Sequence, residues 1–119
     1  MNLKEAFLSV ENYFSPKIIG EVNDQFIKAA KIKGQEVPWH NHENEDELFY
    51  IVEGQLLMEI ENEPEFFMEK GDFFVVKKGV NHRVSSTDEC LIMLIESKTT
   101  KHTGNVISTI TKSIEQQNY

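Results

Sequence analysis

The chain is punctuated by glycines that fall between short apolar segments, at Gly34, Gly54, Gly71 and Gly79. Glycine readily adopts the positive φ angles that tight turns require, so each of these positions predicts a turn. The segments between them are short for helices and suit β-strands. Many short strands at even spacing are typical of a β-sandwich or barrel and exclude a parallel α/β sheet. We therefore expect an all-β architecture.

The start of the chain follows a different pattern. Apolar residues between positions 3 and 14 recur at helical spacing until Pro16 interrupts them, which predicts a short helix over about 3–14. The predicted strands lie at 17–22, 25–33, 35–42, 47–52, 55–61, 65–69, 72–76, 82–86 and 91–96. The residues after 110 are polar, and we expect a partly ordered tail over about 111–119. The 119 residues are expected to form a single domain.

Charge and composition narrow the partners and the location of the chain. A net charge of -8 argues against nucleic acid and an anionic membrane surface as partners, and leaves a small molecule as the expected ligand. The longest apolar run, 90–95, is too short to cross a bilayer. Glu5 and Glu11 interrupt the region in which a signal peptide would be apolar, so a cytoplasmic location is expected. Cys90 is the single cysteine, which excludes an intramolecular disulfide and a cysteine-based zinc site, and we expect it to be a small buried residue.

Three histidines and one glutamate have the spacing of a metal site. His40 and His42 form a His-x-His pair, whose side chains share a face if the segment is a strand. Glu47 begins the next predicted strand and can return a carboxylate to the same point, and His82 begins a later strand after the turn at Gly79. A lone histidine on a strand is more often packed or solvated, but this set suits one divalent ion with open positions. Fe, Mn, Ni, Co, Cu and Zn are all compatible with it.

The sequence around these residues resembles the first motif of the cupins. That motif consists of a glycine, five residues, His-x-His, three or four residues, a glutamate, six residues and a glycine. Its fixed positions are met by Gly34, His40, His42, Glu47 and Gly54.

The second cupin motif is recognisable further along the chain. It consists of a glycine, five residues, Pro-x-Gly, two residues, a histidine, three residues and an asparagine, and Gly71, Gly79 and His82 match it. Lys77 stands where the proline is expected and Ser86 where the asparagine is expected. Neither position supplies a metal ligand, so the resemblance still implies an intact site.

The resemblance implies a double-stranded β-helix, the jelly-roll barrel of the cupins, with about six to eight strands and a short N-terminal helix. It places the metal-binding core at 34–86. More loosely, most of the chain is similar to small stand-alone bacterial cupins that carry a mannose-6-phosphate isomerase-like label. These resemblances also imply a homodimer, with which the outward-facing members of the pairs Phe66/Phe67 and Phe73/Phe74 would be consistent.

Strand parity selects the side chains expected to surround the ion, because residues two or four positions from a ligand point to the same face. Plain core packing is the alternative for the apolar ones. The expected pocket residues are Phe49 and Ile51, on the strand of Glu47, and Val84 and Ser86, on the strand of His82.

Two further residues are expected to lie away from the ion. Trp39 has the opposite parity to the histidines on either side of it, so it should pack on a second layer or in a subunit contact. His102 follows the last predicted strand and is expected at the surface.

The resemblance to cupins leaves the reaction open, because that fold serves many functions. Three imidazoles and one carboxylate would leave two positions of an octahedral ion free for water, O₂ or a chelating substrate. The first hypothesis is an enzyme acting on a small organic substrate by dioxygenase-type oxidation, with isomerisation of a sugar or keto acid as the rival reaction. The second is a non-catalytic metal- or ligand-binding module. A structural zinc site, closed tetrahedrally, is a third.

Overall fold

Residues 1–100 are described by the computed structural model. In this range a helix, α1 (Leu3–Ala6), and a 3₁₀ turn, Phe7–Ser9, precede the β-strands. His102 and the predicted tail at 111–119 lie outside the described residues. The strands are β1 (Lys17–Val22), β2 (Gln25–Gly34), β3 (Glu47–Glu53), β4 (Gln55–Ile60), β5 (Phe66–Glu69), β6 (Phe73–Val76) and β7 (His82–Ser97).

The strands pair antiparallel in two sheets that share β7. One sheet has the order β1-β2-β7-β3-β6, and in the other β4 lies between β5 and β7. The first part of β7 pairs with β4, whereas its last part lies between β2 and β3. The chain therefore crosses between the sheets within β7, at the exposed residues 87–89, and the predicted strands 82–86 and 91–96 are its two arms. The all-β jelly roll predicted from the sequence is confirmed.

The space between the sheets is filled by alternate residues of the strands, as the pleat of a strand requires. Cys90 is among these residues, and burial, followed by the charge of Glu69, raises the pKa of its thiol to about 12. It is the small buried residue that the sequence predicts. The buried cluster comprises Phe14, Ala30, Ile32, Phe49, Ile51, Leu56, Met58, Met68, Val76, Val84, Cys90, Ile92 and Leu94.

The N-terminal helix is shorter than the predicted 3–14. The chain leaves helical geometry at Val10, where ψ is 102°. Phe14 adopts a φ of 55° and donates its N–H to the carbonyl oxygen of Lys31 at 2.8 Å. A hydrogen bond to β2 thus replaces the next helical turn, although the helically spaced Phe7, Val10 and Phe14 are all buried. No helix in residues 1–100 has the length and apolarity needed to cross a membrane.

The predicted strand at 35–42 is wrong, because residues 35–46 form no strand and make one bridge, between His40 and His82. The N–H of His40 donates to the carbonyl oxygen of His82 at 3.1 Å, and the N–H of His82 donates back at 2.9 Å. Gly79 donates to the carbonyl oxygen of His42 at 2.8 Å. Pro38 has no N–H to extend this ladder. The segment is therefore held to the barrel at its two histidines.

Candidate metal centre

Three histidines that are distant in sequence meet at one point of the structure. The ligand nitrogens of His40, His42 and His82 all lie within 4.8 Å of one another. Their ring centroids are 5.1 Å apart for His40 and His42, and 4.4 Å apart for His40 and His82. All three side chains are buried. The structure therefore brings together the three histidines that the sequence grouped.

Backbone carbonyls hold two of the imidazoles by one ring nitrogen. Nδ1 of His40 lies 2.9 Å from the carbonyl oxygen of Pro38, and Nδ1 of His82 lies 2.9 Å from that of Val80. A carbonyl oxygen can only accept, so each Nδ1 carries the proton and each Nε2 keeps its lone pair. Metal-binding histidines are oriented by contacts of this kind. These two rings are therefore prepared to offer Nε2 to a cation.

Glu47, the first residue of β3, directs its carboxylate to the same point. Its Oε1 lies 3.6 Å from Nε2 of His42 and 3.7 Å from Nε2 of His82. These separations are too long for hydrogen bonds. Ligand atoms that share an ion at about 2.1 Å lie about 3.0 to 3.5 Å apart, only slightly closer than the atoms here. The spacing thus fits a carboxylate and two imidazoles around one ion.

Several of these buried nitrogens have no partner within the protein. Among residues 1–100, Nδ1 and Nε2 of His42 and Nε2 of His82 are buried without a hydrogen bond. An unsatisfied buried polar atom is costly, about 1 to 3 kcal/mol, and is rare in folded proteins. A divalent cation would bind the lone pairs of the two Nε2 atoms, which lie near Oε1 of Glu47, so the residues present fit a metal ion.

The titration of His40 supports the same assignment. Burial, followed by the charge of the neighbouring His82, lowers the pKa of His40 to about 4. Its imidazole is therefore neutral at pH 7. A neutral imidazole is the form that binds metals.

A small cavity adjoins the cluster, with a volume of about 40 Å³. His40 and Glu47 supply its polar groups, so one wall is formed by candidate ligands and the remainder is apolar. Its other lining residues are Phe14, Pro16, Ala30, Ile32, Val37, Phe49, Val84, Ile92 and Leu94.

Two of the expected pocket residues line this cavity and two do not. Phe49 and Val84 lie two positions from Glu47 and His82 and reach it. Ile51 is fully buried in the core cluster instead. Ser86 donates its hydroxyl to the carbonyl oxygen of Gln55 at 2.8 Å and borders a separate surface cleft. Parity gives a face and no distance, and four residues along a strand cover about 13 Å.

Trp39 lies on the outer side, as its parity predicts. The guanidinium of Arg83 stacks over its indole, with Cζ 4.6 Å from the ring centroid. Arg83 also pairs with Glu59 at 3.0 Å. The neighbours of two ligands, Trp39 beside His40 and Arg83 beside His82, thus contact each other at the surface.

Sequence reasoning missed a second buried charged pair beside Glu47. Lys28 of β2 forms an ion pair with Glu96 of β7, and both side chains are almost wholly buried, at 1% and 2% exposed. Glu96 is the register partner of Glu47 across β7 and β3. The sequence contained a signal for this pair. Lys28 has the same strand parity as the buried Ala30, and Glu96 has the same parity as the buried apolar residues of β7.

The two glutamates lie side by side on neighbouring strands, and their pKa values move apart. Burial and then the charge of Glu47 raise the pKa of Glu96 well above its ordinary value, against the opposing effect of Lys28. Burial would also raise the pKa of Glu47, but Glu96 and the nearby His42 and His82 outweigh it and hold that pKa well below its ordinary value.

Comparison with known proteins identifies relatives of this chain. YdbB of Bacillus subtilis, an uncharacterized protein, is 34% identical over 102 residues, which are 82% of this chain and 89% of YdbB. A cupin-2 domain containing protein from Shewanella frigidimarina has a TM-score of 0.77 at 33% identity, covering 82% of this chain and 93% of its own. A mannose-6-phosphate isomerase candidate from Ralstonia eutropha shares the fold at 22% identity, with a TM-score of 0.61 over 71% of this chain and 83% of its own.

The family match covers the whole of the site. The Cupin domain family matches residues 32–96, more than half of the chain, and this range includes His40, His42, His82, Glu47 and Glu96. Together with the strand topology and the two sequence motifs, it shows that this chain belongs to the cupin family.

Proposed function

We propose that the chain binds one divalent ion of the Fe, Mn, Ni, Co, Cu or Zn group through His40, His42, His82 and Glu47, and acts on a small organic molecule at that ion. The observation that carries this proposal is the pair of buried Nε2 atoms of His42 and His82, which have no hydrogen-bond partner among the described residues and lie 3.6 and 3.7 Å from Oε1 of Glu47. When bound, the ion would supply Lewis acidity or a redox centre.

The roles of the remaining residues follow from their positions. The carbonyl oxygens of Pro38 and Val80 orient the imidazoles by accepting from Nδ1. Phe49 and Val84 give the cavity an apolar wall that excludes water from the side facing the ligands. About 15 Å³ is needed to hold one water, so a cavity of about 40 Å³ accepts only a few atoms of a substrate. We infer a small ligand that chelates through oxygen atoms and carries a short apolar group.

The charge of the cavity favours oxidation over isomerisation of a sugar phosphate. Among residues 1–100 its lining contains no lysine or arginine, and phosphate groups are typically held by such side chains or by backbone N–H groups. A small organic acid or ketone matches the lining better. We propose dioxygenase-type oxidation of such a molecule as the leading reaction and isomerisation of a keto acid as the rival, and the lining fits either substrate.

A non-catalytic binding module is the second candidate function. The observation that favours it is the absence of an acid or base from the cavity lining beyond His40 and Glu47, within the part of the chain that the structure describes. Catalysed proton transfer usually needs a positioned group near the substrate.

The test begins with elemental analysis of tag-free protein, followed by loading of metal-free protein with each ion under anaerobic conditions. Small 2-oxo acids, diketones and hydroxy acids are then supplied, while an oxygen electrode and NMR follow the reaction. Iron-dependent O₂ uptake supports oxidation, and product formation without O₂ supports isomerisation. Stoichiometric binding without turnover supports the binding module. A four-coordinate ion without an open position would contradict all three.

One matched pair of variants ties the outcome to the site. Glu47→Gln removes a buried carboxylate charge, and Glu43→Gln removes an exposed one four residues earlier. Loss of metal and activity in the first variant alone supports the assignment. Equal behaviour of the two variants would contradict it.

We also propose that the protein is a homodimer. Phe67 and Phe73 are exposed at 60% and 67%, whereas their neighbours Phe66 and Phe74 pack edge to face, with ring centroids 5.1 Å apart. Exposed aromatic side chains are enriched at protein interfaces. Light scattering of the wild type and of a Phe67→Ser/Phe73→Ser variant tests this proposal, since the variant should be monomeric.

A further inference from the structure

We propose that Phe14 sets the size of the small molecule that the cavity accepts. The inference rests on the proposed function, because it takes this cavity as the place where a ligand of the bound ion would lie. Phe14 is a specificity-determining residue in this view, and it acts through the volume of its ring. It precedes β1 and so lies outside the strands of the barrel.

The lining of the cavity comes from three parts of the chain. Strands β2, β3 and β7 form most of it, and residues 35–46 contribute Val37 and His40. The lining residues that precede β1 are Phe14 and Pro16. Binding residues in proteins are found disproportionately on segments that a rigid scaffold positions, rather than within the scaffold itself. The wall at Phe14 has this character, because it can change while the strands stay the same.

The backbone of Phe14 has a conformation that a bulky side chain rarely adopts. Its φ is 55°, in the left-handed region. Among residues 1–100, the other non-glycine residues with positive φ are Asn23 and Asn62, which lie in turns and are of a type that tolerates it. Glycine would adopt this conformation without strain. A phenylalanine held here in spite of the strain indicates a requirement for its ring.

Backbone and side-chain contacts hold Phe14 in this conformation. Its N–H donates to the carbonyl oxygen of Lys31 at 2.8 Å, and Tyr13 forms a parallel bridge with the same residue. The hydroxyl group of Tyr13 donates to Oε2 of Glu89 at 2.9 Å. Tyr13 is 41% exposed, whereas Phe14 is 2% exposed. The segment therefore directs one aromatic ring toward the surface and the next toward the cavity.

Two explanations for the burial of Phe14 make different predictions. As a member of the buried cluster, the ring would serve packing alone, and its truncation would lower stability without changing which ligand binds. As a wall of a cavity of about 40 Å³, the ring excludes ligands whose apolar group is too large. One methylene group in an apolar pocket changes discrimination about 10- to 200-fold. Ligand size is therefore the quantity that separates the two explanations.

The deciding experiment compares two chelators of different size on Co²⁺-loaded protein. Acetohydroxamate and benzohydroxamate chelate through the same two oxygen atoms, but one carries a methyl group and the other a phenyl group. Wild-type protein should bind acetohydroxamate at least about tenfold more tightly. In Phe14→Ala the phenyl group of the larger chelator can occupy the space of the missing ring. The ratio of the two dissociation constants, measured by calorimetry, should therefore shift by at least about tenfold in its favour.

A matched variant separates the loss of a cavity wall from the loss of packing. Leu56 is fully buried in the same cluster as Phe14 and does not line the cavity. Leu56→Ala should lower the thermal midpoint and leave the ratio of the two dissociation constants unchanged. The Co²⁺ affinity of Phe14→Ala should stay close to wild type, because Phe14 supplies no ligand atom. If Phe14→Ala does not fold, Phe14→Leu decides in its place, with a smaller shift in the same direction.

The outcomes separate this proposal from the one on which it rests. Wild-type protein that binds no Co²⁺, or binds Co²⁺ but neither hydroxamate, would overturn the proposed function and this inference together. Wild-type protein that binds both chelators equally well, or a folded Phe14 variant with the wild-type ratio, would overturn the role of Phe14 alone. An equal shift in Leu56→Ala would do the same. A shift confined to the Phe14 variant supports the role.

Discussion

Two buried ionisable groups flank Glu47, and they differ in how their polar atoms are satisfied. On one side, His42 and His82 leave nitrogens without partners in the described structure. On the other side, Lys28 and Glu96 satisfy each other through an ion pair. A buried group without a partner is costly, so the first group requires something that the protein does not supply. The second requires nothing further. The polar atoms of one group are thus satisfied within the described residues, whereas some of those of the other group are not.

The largest effect is expected from the loss of two candidate metal ligands. His40→Ala/His42→Ala removes two of the candidate ligands from a segment that forms no strand. Metal content should fall from about one ion per chain to near zero, while the circular dichroism of the barrel is retained, because the core is built by other residues. Mass spectrometric metal analysis measures the first quantity. Asn44→Ala, in the same segment and exposed, is the control. Equal metal content in both variants would refute the assignment.

The second prediction concerns the stability of metal-free protein at acidic pH. His40 has a pKa of about 4 when folded and an ordinary value of 6.5, so between these values the unfolded chain binds more protons. The contribution of His40 to the free energy of unfolding is therefore fully present above pH 6.5 and is lost as the pH falls toward 4. Below pH 4 this group causes no further change in stability. The loss should amount to about 3 kcal/mol, measured by urea unfolding.

A variant isolates this contribution from other titrating groups. His40→Gln should lack it, so the difference in stability between the wild type and the variant should shrink as pH falls from 6.5 to 4. A difference that is independent of pH would show that His40 is not buried in its neutral form.

The third prediction tests whether the site is open on its cavity side. Val84→Phe places a larger side chain in the apolar wall, two positions from His82. Metal binding should persist, whereas binding of a small chelator such as acetohydroxamate to the loaded protein should weaken about tenfold, which corresponds to about 1.4 kcal/mol. Calorimetry gives both affinities. Unchanged chelator binding would mean that the open positions face elsewhere.

The smallest expected effect concerns the buried ion pair of Lys28 and Glu96. Lys28→Met/Glu96→Leu should change the unfolding free energy of metal-free protein by no more than about 1 kcal/mol, or should stabilise it. Lys28→Met alone leaves two carboxyl groups side by side and should destabilise the protein more than the double variant does. Chemical unfolding of both variants provides the measurement. A double variant that loses several kcal/mol would show that the pair stabilises the fold.

Much of this site could be predicted from residue spacing, and the exceptions have physical reasons. His40 and His42 converge as the strand argument requires, although the segment around them is held by one bridge and one further backbone hydrogen bond rather than by a strand. Parity identified Phe49 and Val84, but Ile51 and Ser86 lie too far along their strands to reach the cavity. Lys28 and Glu96 were missed because strand prediction treats an inward charge as an exception to the apolar pattern, whereas here the two charges are buried as an ion pair.

The fold itself was predictable at the level of its class and less so at its margins. Glycines at positive φ end or separate the strands as expected, with φ values of 91° at both Gly54 and Gly71. The predicted helix over 3–14 was too long, because apolar spacing does not reveal a competing hydrogen-bond partner. Phe14 donates its N–H to the carbonyl oxygen of Lys31 instead. Such long-range hydrogen bonds are decided by the assembled sheet.

Because β7 crosses between the sheets, the ligands of a bound ion would come from both of them. His82 and Glu96 are separated by a stretch that would span about 46 Å if it were straight, yet both approach Glu47 because the strand returns on the opposite sheet. An ion bound by His82 from one sheet and by Glu47 from the other would connect the two sheets. This connection would exist only while the ion is bound, so removal of the metal would weaken the link between the two sheets.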